Sequence, residues 1–302
     1  MFTILKIVVF AIYLVVTTGF PAIIDEGTEN SSETTTLRYL TKFGYLPPVD
    51  PTNPDKIVTN DQLAKAIRDF QQFMGLEVTG ELDEETKEEM KKSRCGIKDK
   101  SPPSTNRRFK RYNLAEGKWD HNNITYKVVK YPSKFPRDET DKAFRDAFNV
   151  WARHIPLTFT RVTTGPVDIE IRFLGEDETN EGNPEIKFDG PGAEMAKTYY
   201  PKDTSPKGGD MYFDDDEEWT YNTTRGVNLF QMAAHEIGHA LGLGHSSVRE
   251  SLMYPAVKTY KPNLDLHRDD IEGIQKLYPR KEEEDGLVVH LTIHKTQSGR
   301  IL

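Results

Sequence analysis

Three histidines constrain the path of this chain more tightly than any other feature of its 302 residues. His235 and His239 stand four apart in His235-Glu236-Ile237-Gly238-His239, so on a helix their imidazoles leave one face about one turn apart and reach one ion. His245 follows six residues later. On a continued helix it would lie roughly 9 Å further along the axis at ~1.5 Å per residue, far outside a Zn–N bond of about 2.0–2.1 Å. For all three to be ligands the helix has to stop between them. Gly242 and Gly244 stand where that stop is needed, and glycine takes a left-handed turn without steric penalty. The expected local structure is an apolar helix over residues 227–241 followed by a sharp reversal.

Three neutral imidazoles leave the fourth position of a tetrahedral zinc open for water, whose pKa the ion lowers toward about 7. Glu236 lies beside the ligands and is not needed as one, so its carboxylate is available to take the proton of that water as it attacks a carbonyl. A zinc site that binds without catalysing is the competing reading, because structural sites are usually closed by a fourth protein ligand. Glu236 argues against it.

The N-terminus supplies an address. Lys6 precedes an apolar run over residues 7–16, followed by small residues through Gly19 and Ala22. This predicts a secretory signal over residues 1–22, the run being shorter than the roughly 20 residues that span a bilayer. No later stretch is apolar enough to span, so a secreted, soluble protein is expected. A net charge of −8 argues against nucleic acid as a partner, which requires a concentrated basic surface. The chain has one cysteine, so no internal disulfide forms and Cys95 is free, intermolecular or a metal ligand. Its flanks, Ser93, Arg94 and Gly96, suit an exposed loop better than a core.

Helical periodicity appears in Leu37, Tyr39, Leu40 and Phe43, again in Leu63, Ala66, Ile67, Phe70 and Phe73, and in a third piece over residues 84–92, which together read as a small helical domain. Residues 100–111 have no apolar period and read as an exposed linker. It closes on Arg108-Phe109-Lys110-Arg111, where Arg108, Lys110 and Arg111 offer basic residues to a processing protease. Beyond it strands and helices mix: strands over 124–130, 157–162 and 167–174, a helix with Phe144, Ala147, Phe148 and Trp151 on one face, a glycine- and acid-rich stretch over 175–218, and helices over 227–241 and 269–277. Residues 281–302 read as a tail. Asn30, Asn123 and Asn222 begin glycosylation sequons.

With these motifs the chain resembles the matrix metalloproteinases, the matrixin branch of the metzincin clan. His235 to His245 matches HExxHxxGxxH, Ser246 is the matrixin choice after the third histidine, and Ser251-Leu252-Met253-Tyr254-Pro255 matches the turn whose methionine, Met253, underlies the metal. Ser93-Arg94-Cys95-Gly96-Ile97-Lys98-Asp99 resembles the cysteine switch PRCGxPD, which implies that Cys95 holds the fourth zinc position in a latent form. Ser93 and Lys98 replace family prolines, which is expected to loosen that loop.

The resemblance implies an α+β fold: a metzincin-type catalytic domain with a twisted, mostly parallel sheet and three helices over residues 112–280, behind a three-helix propeptide over 23–99. It implies a secreted zinc endopeptidase acting on extracellular proteins, matrix and collagen among them, open to protein inhibitors and activated by cleavage after Arg111. The new ammonium at Tyr112 would then pair with Asp269. No C-terminal propeller follows in this sequence, so a minimal architecture is expected, without a module for gripping collagen fibrils. Calcium is implied at Asp189, Gly190, Gly192, Glu194, Asp214 and Glu217, and a second site at Asp168 and Asp210, hard oxygen ligands suiting that ion. Residues 195–201 match the edge strand on which a substrate pairs, and Gln231, Tyr254 and Pro255 match the substrate pocket, with a modest apolar preference after the cut.

Family members also hold a structural zinc. Here Glu178, Asn180, Lys197 and Tyr212 align with its ligands, so one zinc is expected, with Lys197 paired to Glu176, Asp177 or Glu178. A zinc module without catalysis, binding protein partners, is the reading from another class.

Overall fold

A computed structural model describes residues 32–48, 58–100, 112–115, 117–178, 186–201 and 208–280. The signal segment, Asn30, the basic residues Arg108, Lys110 and Arg111, Asn180 and the tail lie outside the described residues. The elements in chain order are α1 (Ser32–Lys42), α2 (Asn60–Met74), α3 (Glu84–Met90), β1 (Arg94–Cys95), β2 (Tyr112–Leu114), β3 (Asn123–Lys130), α4 (Arg137–Ala152), β4 (Thr158–Arg161), β5 (Ile169–Leu174), β6 (Glu194–Thr198), β7 (Met211–Asp214), β8 (Trp219–Thr220), β9 (Val227–Asn228), α5 (Leu229–Ala240), β10 (Leu243–Ser246) and α6 (Arg268–Leu277).

The first three helices form a small unit. α2 starts at a capping box in which Thr59 and Gln62 satisfy each other's backbone N–H, and it stops at Gly75 with φ of 68°. Its apolar face, Ala66, Ile67, Phe70, Phe73 and Met74, meets Leu37, Leu40 and Phe43 of the first helical segment. Tyr39 and Tyr45 set their rings edge-on to Phe70, each at 5.5 Å between centroids, the arrangement aromatic quadrupoles favour. Buried Gln71 donates to Thr79 and Thr86 and accepts from Gly80 N, tying α2 to the turn before α3. This cluster does not close on itself: Tyr254 and Ala256, far along the chain, complete it.

The larger unit is built on a six-stranded sheet in the order β1-β6-β7-β5-β3-β4. β3, β4, β5 and β7 run parallel, and β6 is antiparallel to β7. Ile169, Ile171 and Phe173 of β5 and Met211 and Phe213 of β7 are buried. α4 lays Phe144, Ala147, Phe148 and Trp151 into the same core, and Trp151 Nε1 donates to Ala234 O of α5 at 2.8 Å.

Two expectations change here. The third helix ends at Met90, two residues short of the expected end, and residues 94–95 become an edge strand parallel to β6. Cys95 is therefore fully buried, not exposed. Its polar flanks are satisfied by pairing: Arg94 N donates to Ala193 O at 2.7 Å, Cys95 N to Pro255 O at 3.0 Å and Gly96 N to Ala196 O at 2.8 Å. Sequence flanks do not reveal that an edge of another domain supplies the partners.

α5 is buried on every side, and Gly238 is the point of closest approach. A Cβ there would overlap Met253 Sδ and come within 2.8 Å of the Trp151 ring. Alanine would gain about 1 kcal/mol of helix propensity, against ~1–3 kcal/mol for overpacking. Gly238→Ala is expected to lower the thermal midpoint of the zinc-loaded chain by about 2–8 °C; an unchanged or raised midpoint would show that this contact is slack.

Candidate metal centre

Asn228 caps α5, its Oδ1 accepting from Gln231 N at 3.1 Å. The helix ends at Ala240, and Gly242 turns the chain back at φ of 104°. Gly242 alone makes the reversal, since Gly244 lies inside β10 without a positive φ. The last carbonyls of the helix do not go unpaired: Trp119 Nε1 donates to Ala240 O at 2.9 Å and Tyr278 Oη to Leu241 O at 3.0 Å. β10 then carries His245 back beside His235 and His239.

The three imidazoles and Cys95 are buried, and one ligand atom from each lies within 4.8 Å of the others, the one such convergence of His, Cys, Asp and Glu among the described residues. His235 Nδ1 faces Leu252 O at 2.7 Å, His239 Nδ1 faces Leu243 O at 2.6 Å and His245 Nδ1 faces Asp99 Oδ1 at 2.8 Å. Each Nδ1 must carry the proton to donate to an oxygen, so each Nε2 is a bare lone pair. Burial and the neighbouring imidazoles push His235 and His239 well below the ordinary histidine pKa, keeping them neutral as ligands must be.

The spacings test whether zinc fits. With Zn–N near 2.05 Å and Zn–S near 2.3 Å, tetrahedral geometry sets two nitrogens about 3.3 Å apart and nitrogen and sulfur about 3.6 Å apart. His235 Nε2 and His239 Nε2 are 3.1 Å apart, and Cys95 Sγ is 3.4 Å from His239 Nε2. His245 Nε2 is buried with no hydrogen-bond partner among the described residues, an orphan that a cation resolves. The donor set fits zinc.

Glu236 is fully buried, with Oε2 accepting from Thr198 Oγ1 at 2.5 Å and the Cys95 thiol close to the carboxyl, Oε1 having no well-formed hydrogen bond among the described residues. Burial pushes its carboxyl up to about 7, against the hydrogen bonds of Thr198 and Cys95; a bound cation acts in the opposite sense. Burial and the nearby Glu236 raise the Cys95 thiol, which zinc ligation would deprotonate outright. The loop holding Cys95 is locked by Arg94, whose guanidinium meets Asp99 Oδ1 at 2.5 Å and lies 3.6 Å over the Phe43 ring. Behind the helix, Asp269 accepts from Ser246 Oγ at 2.6 Å, while Asp270 accepts from Leu252 N at 2.8 Å and Met253 N at 3.1 Å. The acidic pair thus braces both His245 and the turn carrying Met253. β2 pairs Tyr112 with Ser246, whose hydroxyl donates to Asp269.

The remaining predicted residues are brought together unevenly. Gln231 and Pro255 line a cavity of about 30 Å³ with Met232, His235, Leu252 and Lys258, room for about two waters. Gln231 bridges to the far wall, its Nε2 donating to Thr259 O and its Oε1 accepting from Lys261 N. Tyr254 is a correction: it turns away from this cavity into the helical unit, with Oη 3.2 Å from Met74 O. Asp189 accepts from Glu194 N, Glu217 accepts from Gly192 N at 2.6 Å, and Gly190 and Gly192 take positive φ. Asp214 Oδ2 is buried without a partner among the described residues. Burial and mutual repulsion raise Asp214 to about 6 and Glu217 to about 7. The Glu194 carboxylate meets Lys42 at 2.5 Å and Lys197 at 2.7 Å. Asp168 is taken by Thr125 and His121, and Asp210 by Glu170 N.

Lys197 is likewise corrected. It pairs with Glu194 and with Lys187 O, not with Glu176, Asp177 or Glu178, and Glu178 pairs with Lys130 instead. Just before β6 Ala193 takes a φ of 47°, and the pairing of β1 with β6 is irregular between Arg94 and Cys95. Sequence reasoning assigned no role to Thr198, Lys258 or Asp99. Thr198 and Lys258 carry no local signal, whereas Asp99 closes the motif around Cys95 and was legible as part of it.

Comparison with known proteins bears on the whole of this centre. Residues 118–279 match the Matrixin family and residues 37–90 match a peptidoglycan binding domain family. The chain is 39% identical to matrix metalloproteinase-19 of Homo sapiens over 83% of its length and 46% of that protein's. It is 44% identical to stromelysin-1 of Rattus norvegicus over 75% of its length and 46% of that protein's. It is 38% identical to interstitial collagenase of Bos taurus over 86% of its length and 52% of that protein's. The chain thus spans about half the length of the curated relatives it matches. With the family match enclosing all three histidines, Glu236 and Met253 and covering more than half of the 302 residues, the chain belongs to the matrixin family.

Proposed function

We propose that this chain is a zinc-dependent endopeptidase of extracellular proteins, made in a latent form and secreted. The observation that carries the reading is Glu236 beside three convergent, neutral Nε2 atoms, with one carboxylate oxygen fixed by Thr198 and the other without a well-formed hydrogen bond among the described residues. Its relatives' names, a matrix metalloproteinase, a stromelysin and a collagenase, support protein substrates. No described helix is long and apolar enough to cross a membrane.

His235, His239 and His245 would hold the metal. Zinc bound there supplies a Lewis acid that polarises a peptide carbonyl and acidifies water. Glu236 takes the proton of the attacking water and returns it to the leaving amine. Thr198 holds the carboxylate in place for both transfers. The open edge of β6 aligns the substrate backbone, and β1 occupies that edge here. Cys95 fills the place the water needs, so activation requires that residues 94–99 leave, with cleavage near Arg108, Lys110 and Arg111 as the trigger.

A set of one cysteine and three histidines is also what a closed structural zinc site contains, which is the second reading. The two separate on Cys95→Ser. For a latent enzyme the uncleaved variant is expected to hydrolyse a generic peptide while keeping zinc; for a structural site it would lose metal and show no turnover. Glu236→Ala in the activated protein is expected to keep one zinc by metal analysis and lose about 10²–10⁴-fold in kcat. Comparable rates would remove Glu236 from its role. Two tightly held zinc ions would contradict the further proposal that the second zinc site is gone, which rests on Lys197 standing paired where a histidine would be needed.

Calcium is proposed at Asp189, Asp214 and Glu217. Repulsion among these half-buried carboxyls and the orphaned Asp214 oxygen support it, because a hard cation cancels both costs. Calcium at about 100 times its Kd would add ~2.7 kcal/mol to the domain that binds it. The thermal midpoint is expected to rise by about 5–10 °C on adding calcium and to fall back with a calcium-selective chelator; an insensitive midpoint would exclude the site.

A further inference from the structure

The three imidazoles are not supported alike. His235 and His239 each donate through Nδ1 to a main-chain carbonyl of the catalytic unit, Leu252 O and Leu243 O. His245 donates instead to a carboxylate, Asp99 Oδ1 at 2.8 Å, 146 residues earlier in the chain and on the other side of the linker. A carboxylate behind an imidazole does more than a carbonyl dipole. It fixes the tautomer and ring plane, and its full negative charge makes the far nitrogen a stronger donor to a cation.

Asp99 is held in place for this. Its side chain is fully buried, Oδ2 accepts from Tyr45 Oη at 2.8 Å, Oδ1 also meets Arg94, and its backbone N donates to Phe43 O at 3.1 Å. All of these partners except His245 belong to the helical unit and the segment after it. When that unit leaves, His245 Nδ1 loses its carboxylate, and neither Leu252 nor Leu243 is free to replace it.

We propose that Asp99 is a removable positioning residue for the zinc: its hydrogen bond to His245 strengthens metal binding in the latent chain, so that propeptide release loosens the zinc by a route separate from loss of the Cys95 thiolate. The inference rests on the reading of this centre as a zinc site.

The test isolates Asp99 from the thiolate. Zinc release to a chelating dye is compared in full-length Cys95→Ala and Cys95→Ala/Asp99→Asn chains, where asparagine keeps the shape and removes the charge. Release from the double variant is expected to be about 10–100-fold faster; equal rates would overturn the proposal. Cys95→Ala/Arg94→Gln breaks the ion pair with Asp99 yet leaves the carboxylate on His245, and is expected to release zinc like Cys95→Ala. Release as fast as from the Asp99 variant would mean that Asp99 acts only by holding the loop, which also overturns it. The wild-type chain gives a second readout that needs no substitution. In nitrogen-15 spectra of the zinc-loaded protein, the His245 Nδ1–H resonance is expected to shift further on propeptide cleavage than those of His235 and His239, which keep their carbonyl partners and feel only the loss of the thiolate; three equal shifts would sink the idea. A chain that binds no zinc in any of these forms would overturn the zinc reading itself, which is a different failure.

Discussion

Everything in this protein is arranged around four lone pairs that must meet at a point inside a dry interior. Without a cation, three buried imidazoles and a thiol would be a liability, since each unpaired polar atom carries a desolvation penalty. The fold accepts that penalty and spreads its consequences outward. A helix buried on all sides presents His235 and His239, a single left-handed glycine returns His245, and main-chain carbonyls at Leu243 and Leu252 set the tautomers. Met253 and Trp151 fill the space beneath Gly238 so closely that no side chain fits there. Asp269 and Asp270 then fasten the two return segments to α6.

The same logic explains why the segment around Cys95 is so tightly specified while its flanks are polar. Arg94 is buried, which costs heavily for a guanidinium unless it is paired. Its partners are Asp99, the hydroxyl of Tyr39 and the face of the Phe43 ring, and Asp99 is held well below the usual carboxylate range, at about 2, because Arg94 and His245 outweigh its burial. An ion pair of this kind adds little net stability over an apolar pair of equal size, but it tolerates few other arrangements. It sets where Cys95 stands rather than how firmly the domain folds.

Much of this was legible in the sequence, and the reasons differ by residue. The spacing of His235, His239 and His245 dictated a helix, a stop and a return, because bond lengths to one ion admit no alternative. Apolar periodicity placed α2 and α4 because each buries one face, and α5 showed as an apolar run because it is buried on every side. The misses are equally physical. Burial of Cys95 depended on pairing with β6 about 100 residues later, which no local window contains. Lys197 pairs with Glu194, which also meets Lys42 of the helical unit, a partner about 150 residues away and equally outside any local window. Tyr254 follows the metal turn in sequence yet belongs to a different hydrophobic cluster, a choice made by the helical unit's need for one more ring.

That last contact bears on the direction of events in time. The helical unit's core is completed by Tyr254 and Ala256, so it is an open cup with its lid on another domain. Cut free at the proposed processing site, it would carry an uncovered apolar floor around Met74, where Tyr254 now sits, in a piece of fewer than 90 residues with no disulfide to staple it. On the proposed reading such a fragment would tend to unravel, and an unravelled fragment would no longer present Cys95, Arg94 and Asp99 in the geometry the cleft accepts. Release would then run one way, because the segment competes for the site only while the covalent link keeps it folded there.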